Sequence, residues 1–487
     1  MKISTKIGLS LLVLLTLGGC KDLITVEPQS ELAPSNVLTT QSGLQAVLYS
    51  AYGNFQNQEP TRIRINISEV TTDMAYNTGG GENLYLSQFI NFTWDPSVAN
   101  FLGDVWAPYY YCIRDANIVL DNVANVTASD AVKRQFAAEA RFLRAYSYSI
   151  LYSWYGPVPL RTSSTTVKDQ ARATDDELKA FIEKELTECV ADLPDPGKEQ
   201  AFGRATKGAA YAALAKFLLN TKQWQKAADV SQSVIGLNYY SLYPSFTGLF
   251  RVENEGNKEM IMVSPCLNVS GYGNWFMAGA LPPAFKTTPQ IPGFVWTTAM
   301  ANFATQYRLR SAFVNTIAAN DQRGQLVVKT YVNTSGATVD LMTTPDNARS
   351  FKYWDNSTLG NNSATDVPLL RYADILLTRA EALNELSGPT APAVALVNQV
   401  RTRAGLANLP AADIASASSF RDAILRERGW EFISEGKRRE DLIRHGKFIS
   451  LAQARGVTVA NANKHVLFPI PQSEIDANQL AVQNPGY

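Results

Sequence analysis

Along "KRQFAAEARFLRAYSYSILYSWYGPVPL" the residues Phe136, Ala140, Leu143, Ser147, Ile150 and Trp154 recur at alternating spacings of four and three. That spacing lays a mostly apolar stripe on one face of a helix. Gly156-Pro157 and Pro159 end it, since proline cannot continue the hydrogen-bond ladder. "GRATKGAAYAALAKFLLNTKQWQKAADVSQSVIGLN" reads as two helices joined near "NTKQ". Gly208, Tyr211, Trp224 and Ala227 fall where a tetratricopeptide repeat wants small and bulky residues, although Asn220 and Gln232 replace its usual alanine and closing proline. In "VPLLRYADILLTRAEALNEL" an apolar stripe (Leu369, Ala373, Leu376, Ala380, Leu383) is divided from a polar one (Arg371, Asp374, Thr378, Glu381, Glu385). The whole stretch is therefore predicted to be helical. "APAVALVNQVRTRAGL" predicts its partner helix, stopped by Gly405. "FRDAILRERGWEFISEGKRREDLIRHGKF" predicts a long charged helix or a helix pair, with the break at Gly436.

Residues 239–365 lack any sustained period and are rich in aromatics, glycine and proline. They predict a loop-rich lobe with a few short strands, and "YNTGGGENLYLSQFINFTWDPSV" has the same character. The fold class expected is mainly α, with an irregular lobe that carries recognition groups.

The first residues follow another pattern. Lys2 and Lys6 precede the eleven-residue apolar run "IGLSLLVLLTL", which ends in Leu17-Gly18-Gly19-Cys20. This describes an export signal over residues 1–19, too short for a bilayer span of roughly 20 apolar residues. "LGGC" resembles the lipobox of bacterial lipoproteins, which implies lipidation of Cys20 and a polar tether over residues 20–37.

The chain has 487 residues, with 44 basic and 44 acidic side chains. Without Lys2 and Lys6 the balance becomes about −2, which favours neither nucleic acid nor an anionic membrane surface. Loss of Cys20 to lipid leaves Cys112, Cys189 and Cys266, an odd number with no CxxC motif, so neither a disulfide framework nor a zinc site is expected. The two histidines, His445 and His465, are expected in surface or structural roles. Glu427, Glu431 and Glu435 share a helix face at i, i+4, i+8 spacing, but groups on one face do not flank a substrate from two sides. With Arg428, Arg438 and Arg439 nearby, and Glu435–Arg439 and Glu440–Arg444 in favourable order, they predict a structural ion-pair network. "GYGNW" and "TGGGEN" match no phosphate or dinucleotide loop and read as tight turns. No catalytic residues, cofactor or metal ligands are assigned, although the acids Asp73 and Glu82 keep calcium in view.

Six blocks now assemble in order: "YYYCIRDANIVLDNV", "AEARFLRAYSYSILYSWYGPVPL", "PLLRYADILLTRAEALNEL", "VNQVRTRAGL", "ERGWEFISEGKRREDLIRHG" and "LFPIPQSEIDANQLAVQNPGY". The chain resembles the SusD-like (RagB) family of outer-membrane nutrient-binding lipoproteins of Bacteroidetes. The resemblance implies one SusD-like domain over residues 38–487, with four tetratricopeptide-like units mainly in 38–238 and 366–487 and the lobe at about 239–365. It further implies a non-catalytic glycan-binding protein acting with a TonB-dependent (SusC-like) outer-membrane barrel, lipid-anchored and facing outward. Two other readings are a peptide receptor on the same fold and a surface glycoside hydrolase.

Sugar rings pack their C–H patches on aromatic faces and need planar polar groups at their edges. Tyr76, Trp94, Trp275, Phe276 and Trp296 lie in loop-like segments, with Asp73, Asn77, Asn91 and Asn274 close in sequence. Asp73, Tyr76, Asn77, Trp94, Trp275, Phe276 and Trp296 are the candidate ligand-binding residues. Trp154 and Trp224 fall inside scaffold motifs and are expected to pack.

Overall fold

The computed structural model describes residues 37–165, 169–304 and 306–487. The leader, Cys20 and the tether up to residue 36 lie outside them. In chain order the helices are α1 (Gln41–Phe55), α2 (Gln58–Val70), α3 (Asn83–Asn91), α4 (Ala99–Asn122), α5 (Asp130–Tyr155), α6 (Asp175–Glu188), α7 (Lys207–Asn220) and α8 (Trp224–Gly236). They continue with the short α9 (Phe276–Ala280) and α10 (Ser311–Val314), then α11 (Tyr372–Ser387), α12 (Ala391–Arg403), α13 (Ala417–Glu431), α14 (Arg438–Arg444), α15 (Phe448–Ala454) and α16 (Gln472–Ala477). The strands are β1 (Ala75–Asn77), β2 (Met260–Ser264), β3 (Phe285–Thr287), β4 (Tyr307–Leu309), β5 (Val327–Val328), β6 (Thr330–Asn333), β7 (Thr338–Asp340), β8 (Arg349–Ser350) and β9 (Val367–Arg371). They pair as β1–β4, β2–β9, β3–β6–β7 and β5–β8. The fold is mainly α, as the periodicity predicts.

Neighbouring helices pack in succession: α4 on α5, α5 on α6, α6 on α7, α7 on α8. Helix α8 then packs on α11, although the tract 237–371 separates them in sequence. The lobe is therefore an insertion between two adjacent scaffold helices. Every residue of the α5 stripe is buried, from Phe136 to Trp154. Ser129 caps this helix by accepting the Val132 N–H, and Gly156 leaves it at φ +70°. Gly208 is fixed by packing, because a Cβ there would lie 2.2 Å from the Tyr240 hydroxyl oxygen. The helix break expected at Gly436 is present, with Ser434 and Gly436 both at positive φ.

Two expectations need correction. "VPLLR" is strand β9, not helix: all five residues are buried, Pro368 disfavours a helix, and the segment pairs antiparallel with β2. Inside "YNTGGGENLYLSQFINFTWDPSV", residues Asn83–Asn91 form α3, which buries Leu86, Phe89 and Ile90. The polar face of α11 is also turned inward, with Asp374 and Glu381 paired to Arg428 and Arg444.

Those pairs belong to a charged core. Arg371, fully buried, reaches Glu259 (2.8 Å), Glu431 (2.6 Å) and Glu435 (2.8 Å). Arg323 binds Asp321, Glu427 and Glu431, Arg403 binds Glu259 and Glu431, and Lys352 binds Glu435 at 2.7 Å. Burial alone would raise the Glu435 pKa, but Arg371 and Lys352 outweigh it and hold the carboxyl below its usual range. The ion-pair reading of Glu427, Glu431 and Glu435 is the structure's own. The neighbouring pairings differ, however: Glu440 takes Lys216, and Arg439 reaches the carbonyls of Ser153 and Val466. Glu259, Asp321, Arg323 and Lys352 come from the lobe and the rest from the scaffold, so this hub fastens one to the other.

Candidate functional site

Strand β1 pairs with β4 antiparallel, with Tyr76 opposite Arg308 and Asn77 opposite Tyr307. This ladder brings the "TGGGEN" turn against the lobe. Gly80, at φ +76°, admits the Gln306 side chain, which also lies against Gly279 of α9. Trp275 sits at the start of α9, half-buried, with its indole N–H donating to Asn362 Oδ1 at 3.0 Å. The Arg62 guanidinium covers one part of its ring at 5.4 Å, and Glu82 holds Arg62 at 2.5 Å.

Beside the indole is a cleft of about 120 Å³ lined by Asn57, Gln58, Glu59, Arg62, Gly271, Gly273 and Trp275. Gly271 turns the chain at φ +83°, and Gly273 has no room for a Cβ, which would fall 2.2 Å from that of Asn362. The loop that carries Gly271 exposes Leu267, Val269 and Tyr272. An aromatic ring, planar amides, a guanidinium and an apolar surround together suit a ligand with both C–H faces and hydroxyl edges.

The remaining candidates are placed as follows. Trp94 is 1% exposed and packs against Phe89, Phe92, His465 and Phe468, and its indole N–H donates to Tyr487 Oη at 2.7 Å. It presents no face to a ligand and is a core residue. Phe276 is likewise buried, against Tyr307 and Tyr353. Asn77 is buried and caps its own turn through the Gly79 N–H. Asp73 is held in both oxygens by Arg438, at 2.9 and 2.8 Å, and Glu82 by Arg62. Each of these acids thus faces an arginine rather than a second acid. Burial acts to raise the Asp73 pKa, and Arg438 more than offsets it. Tyr76 and Trp275 remain half-buried on the face described, flanking α9 and the β1–β4 ladder. Trp296 is half-buried elsewhere in the lobe, with an indole N–H that finds no hydrogen-bond partner among the described residues. Asn274 is buried, bonded to Thr365. Sequence reasoning missed Arg62, Gln58 and Arg308, whose only signal was a basic side chain or amide next to an aromatic far along the chain.

Fold and cleft together define a helical-repeat protein with an inserted lobe, whose Trp275 meets the scaffold helix α2 at the cleft. Residues 293–487 match the family described as "SusD family", and residues 23–219 match "Starch-binding associating with outer membrane". A SusD-like protein, P25, of Formosa agariphila is 25% identical over 96% of each chain. The starch-binding protein SusD of Bacteroides thetaiotaomicron is 26% identical over 88% of this chain and 85% of its own. Among solved structures, a laminarin-binding SusD-like protein superposes with a TM-score of 0.79 at 25% identity, covering 92% of this chain and all (100%) of that one. Surface glycan-binding protein A from Bacteroides thetaiotaomicron, in complex with laminarihexaose, shares the fold with a TM-score of 0.75 at 22% identity over 92% and 100% of the two chains. The chain belongs to the SusD-like (SusD/RagB) family.

Proposed function

We propose that the protein is a lipid-anchored, non-catalytic glycan receptor that hands oligosaccharide to a TonB-dependent outer-membrane barrel. Residues 1–19 serve as signal peptide, 20–37 as tether and 38–487 as the receptor domain. The observation that carries the reading is Trp275, half-exposed in a cleft whose other walls are Asn57, Gln58, Glu59 and Arg62. The family supports it through relatives named for starch and laminarin binding. Glu427, Glu431 and Glu435, the acids with the spacing of a helix face, are all buried against arginine or lysine and have no route to a substrate. Among the described residues no helix is long and apolar enough to cross a membrane, so the lipid on Cys20 is the attachment in this reading.

Calorimetric titration of the purified protein with a panel of oligosaccharides, with reducing ends assayed on the same samples, tests the receptor. Binding without new reducing ends is the expected result; cleavage would overturn the non-catalytic reading, and silence across the panel the glycan reading itself. For the anchor, Cys20→Ala is expected to move the protein out of the membrane fraction, followed by immunoblot after cell fractionation. Retention of the variant at parental levels would contradict lipid attachment at this cysteine.

A further inference from the structure

The face beside Tyr76 holds more guanidinium groups than acids to balance them. Arg308 stands opposite Tyr76 in the β1–β4 ladder. One residue on, Leu309 bridges Ala348 antiparallel, its N–H donating to the Ala348 carbonyl at 2.8 Å, and this register sets Arg308 opposite Arg349. Residues opposite one another in such a ladder project to the same side. Tyr76 and Arg308 thus share one side of the β1–β4 ladder, and the isolated Leu309–Ala348 bridge sets Arg349, itself without accessible surface, next to Arg308 to complete a row.

Like charges facing each other across strands destabilise a sheet unless something neutralises them. Arg308 makes no ion pair or hydrogen bond among the described residues, and its Nε is buried. Among the described residues Arg349, which has no accessible surface, binds only the Asn347 and Ala304 carbonyls and the Asn347 side chain, leaving Nη1 without a partner there. Arg455 donates to the Thr71 carbonyl, and its Nε and Nη1 are buried without partners. Arg310, over the Tyr76 ring at 5.0 Å, has one acid, Asp346, at 3.4 Å. The other nearby acid, Asp73, is taken by Arg438. Burial, with Arg308 adding to it, pushes the Arg349 pKa down to about 9; burial and Arg310 push Arg455 down to about 10. No acid opposes the shift at Arg349; at Arg455, Asp73 and Asp346 oppose it without offsetting burial.

We propose that the Tyr76–Arg308–Arg349 row is a subsite for an oxyanion carried by the bound glycan, either a uronate carboxylate or a sulfate ester. The inference rests on the glycan-receptor reading and narrows its ligand class. The planar fork of a guanidinium matches both oxyanions, and Tyr76 offers a ring face for the sugar that bears them. Arg308, half-buried, makes the contact; Arg349 adds charge from beneath it. A neutral sugar, with hydroxyls alone, would leave both charges unbalanced. The row and the Trp275 cleft flank the same short helix, α9, through Gln306 and Gly279.

The test titrates the purified protein with oligogalacturonate, a sulfated galacto-oligosaccharide and uncharged laminarihexaose, each at low and high sodium chloride. At least one charged ligand is expected to bind about tenfold or more tighter than the neutral one, with the advantage shrinking in high salt. Whichever charged ligand wins separates carboxylate from sulfate. Arg308→Gln should erase that advantage, weakening the charged ligand far more than laminarihexaose, and keep a melting temperature at or above the parent's, since a like-charge neighbour is removed. Equal or tighter neutral binding, or an Arg308→Gln variant with its charged-ligand preference intact, would overturn the anion subsite while the glycan reading stands. No binding to any of the three would remove both.

Discussion

Arg371→Met is expected to destabilise the protein by about 3–5 kcal/mol, read as the shift of the urea unfolding midpoint with the slope unchanged. The size follows from what stays behind. Glu259 keeps Arg403, and Glu431 keeps Arg403 and Arg323, but among the described residues Glu435 is left with Lys352 alone, in a site with almost no accessible surface. The Glu431 carbonyl also loses a hydrogen bond of 2.8 Å from the guanidinium. Removing one partner of a buried pair is far costlier than removing both. Adding Glu435→Leu to Arg371→Met should accordingly recover part of the loss, and the double-mutant cycle measures that coupling. A single-variant loss below about 1 kcal/mol would show that the acids are solvated some other way and that the hub does not hold the lobe.

Trp275→Ala should weaken glycan binding about 10- to 100-fold in calorimetric titration, with little change in melting temperature. Its indole is half-buried, and Arg62 keeps Glu82 when the ring is gone. Trp94→Ala should do the reverse. That side chain fills a fully enclosed aromatic cluster and ties down Tyr487, so its loss should cost about 3–5 kcal/mol of stability and leave affinity unchanged. The pair separates a ligand platform from a packing residue. If Trp94→Ala abolished binding in protein that still melted normally, the core assignment would be wrong.

The contrast between these two tryptophans shows what was legible in the sequence. Helices α5, α7, α8 and α12 declare themselves because a helix buries a local stripe, and period and caps lie within a few residues of one another. The break between α13 and α14 is legible for the same reason, through Gly436. Strand β9 is not: five consecutive buried residues carry no period, and only pairing with β2, more than 100 residues earlier in sequence, decides between helix and strand. Trp94 sits in an aromatic, glycine-flanked stretch that looks like a binding loop, and its fate was set by a hydrogen bond spanning 393 positions. The Tyr76–Arg308 register and the arginine row are equally non-local. Composition showed that the charges balance overall; it did not show that the acids gather in the hub and leave Arg308 and Arg349 without any among the described residues.

The hub has a consequence for how the molecule is made. Its acids and bases come from positions 259, 321, 323, 352, 371, 403, 427, 431 and 435, so no early stretch of the chain can assemble it. Contacts of such long sequence separation form slowly, because loop closure must precede any reward. A newly made chain holds unpaired buried-type charges until its last third has arrived, and has to be kept from aggregating until then. Once closed, the same arrangement resists opening, since breaking any one arm strands a carboxylate or a guanidinium in a dry interior. Slow maturation and a long-lived native state are two sides of one design.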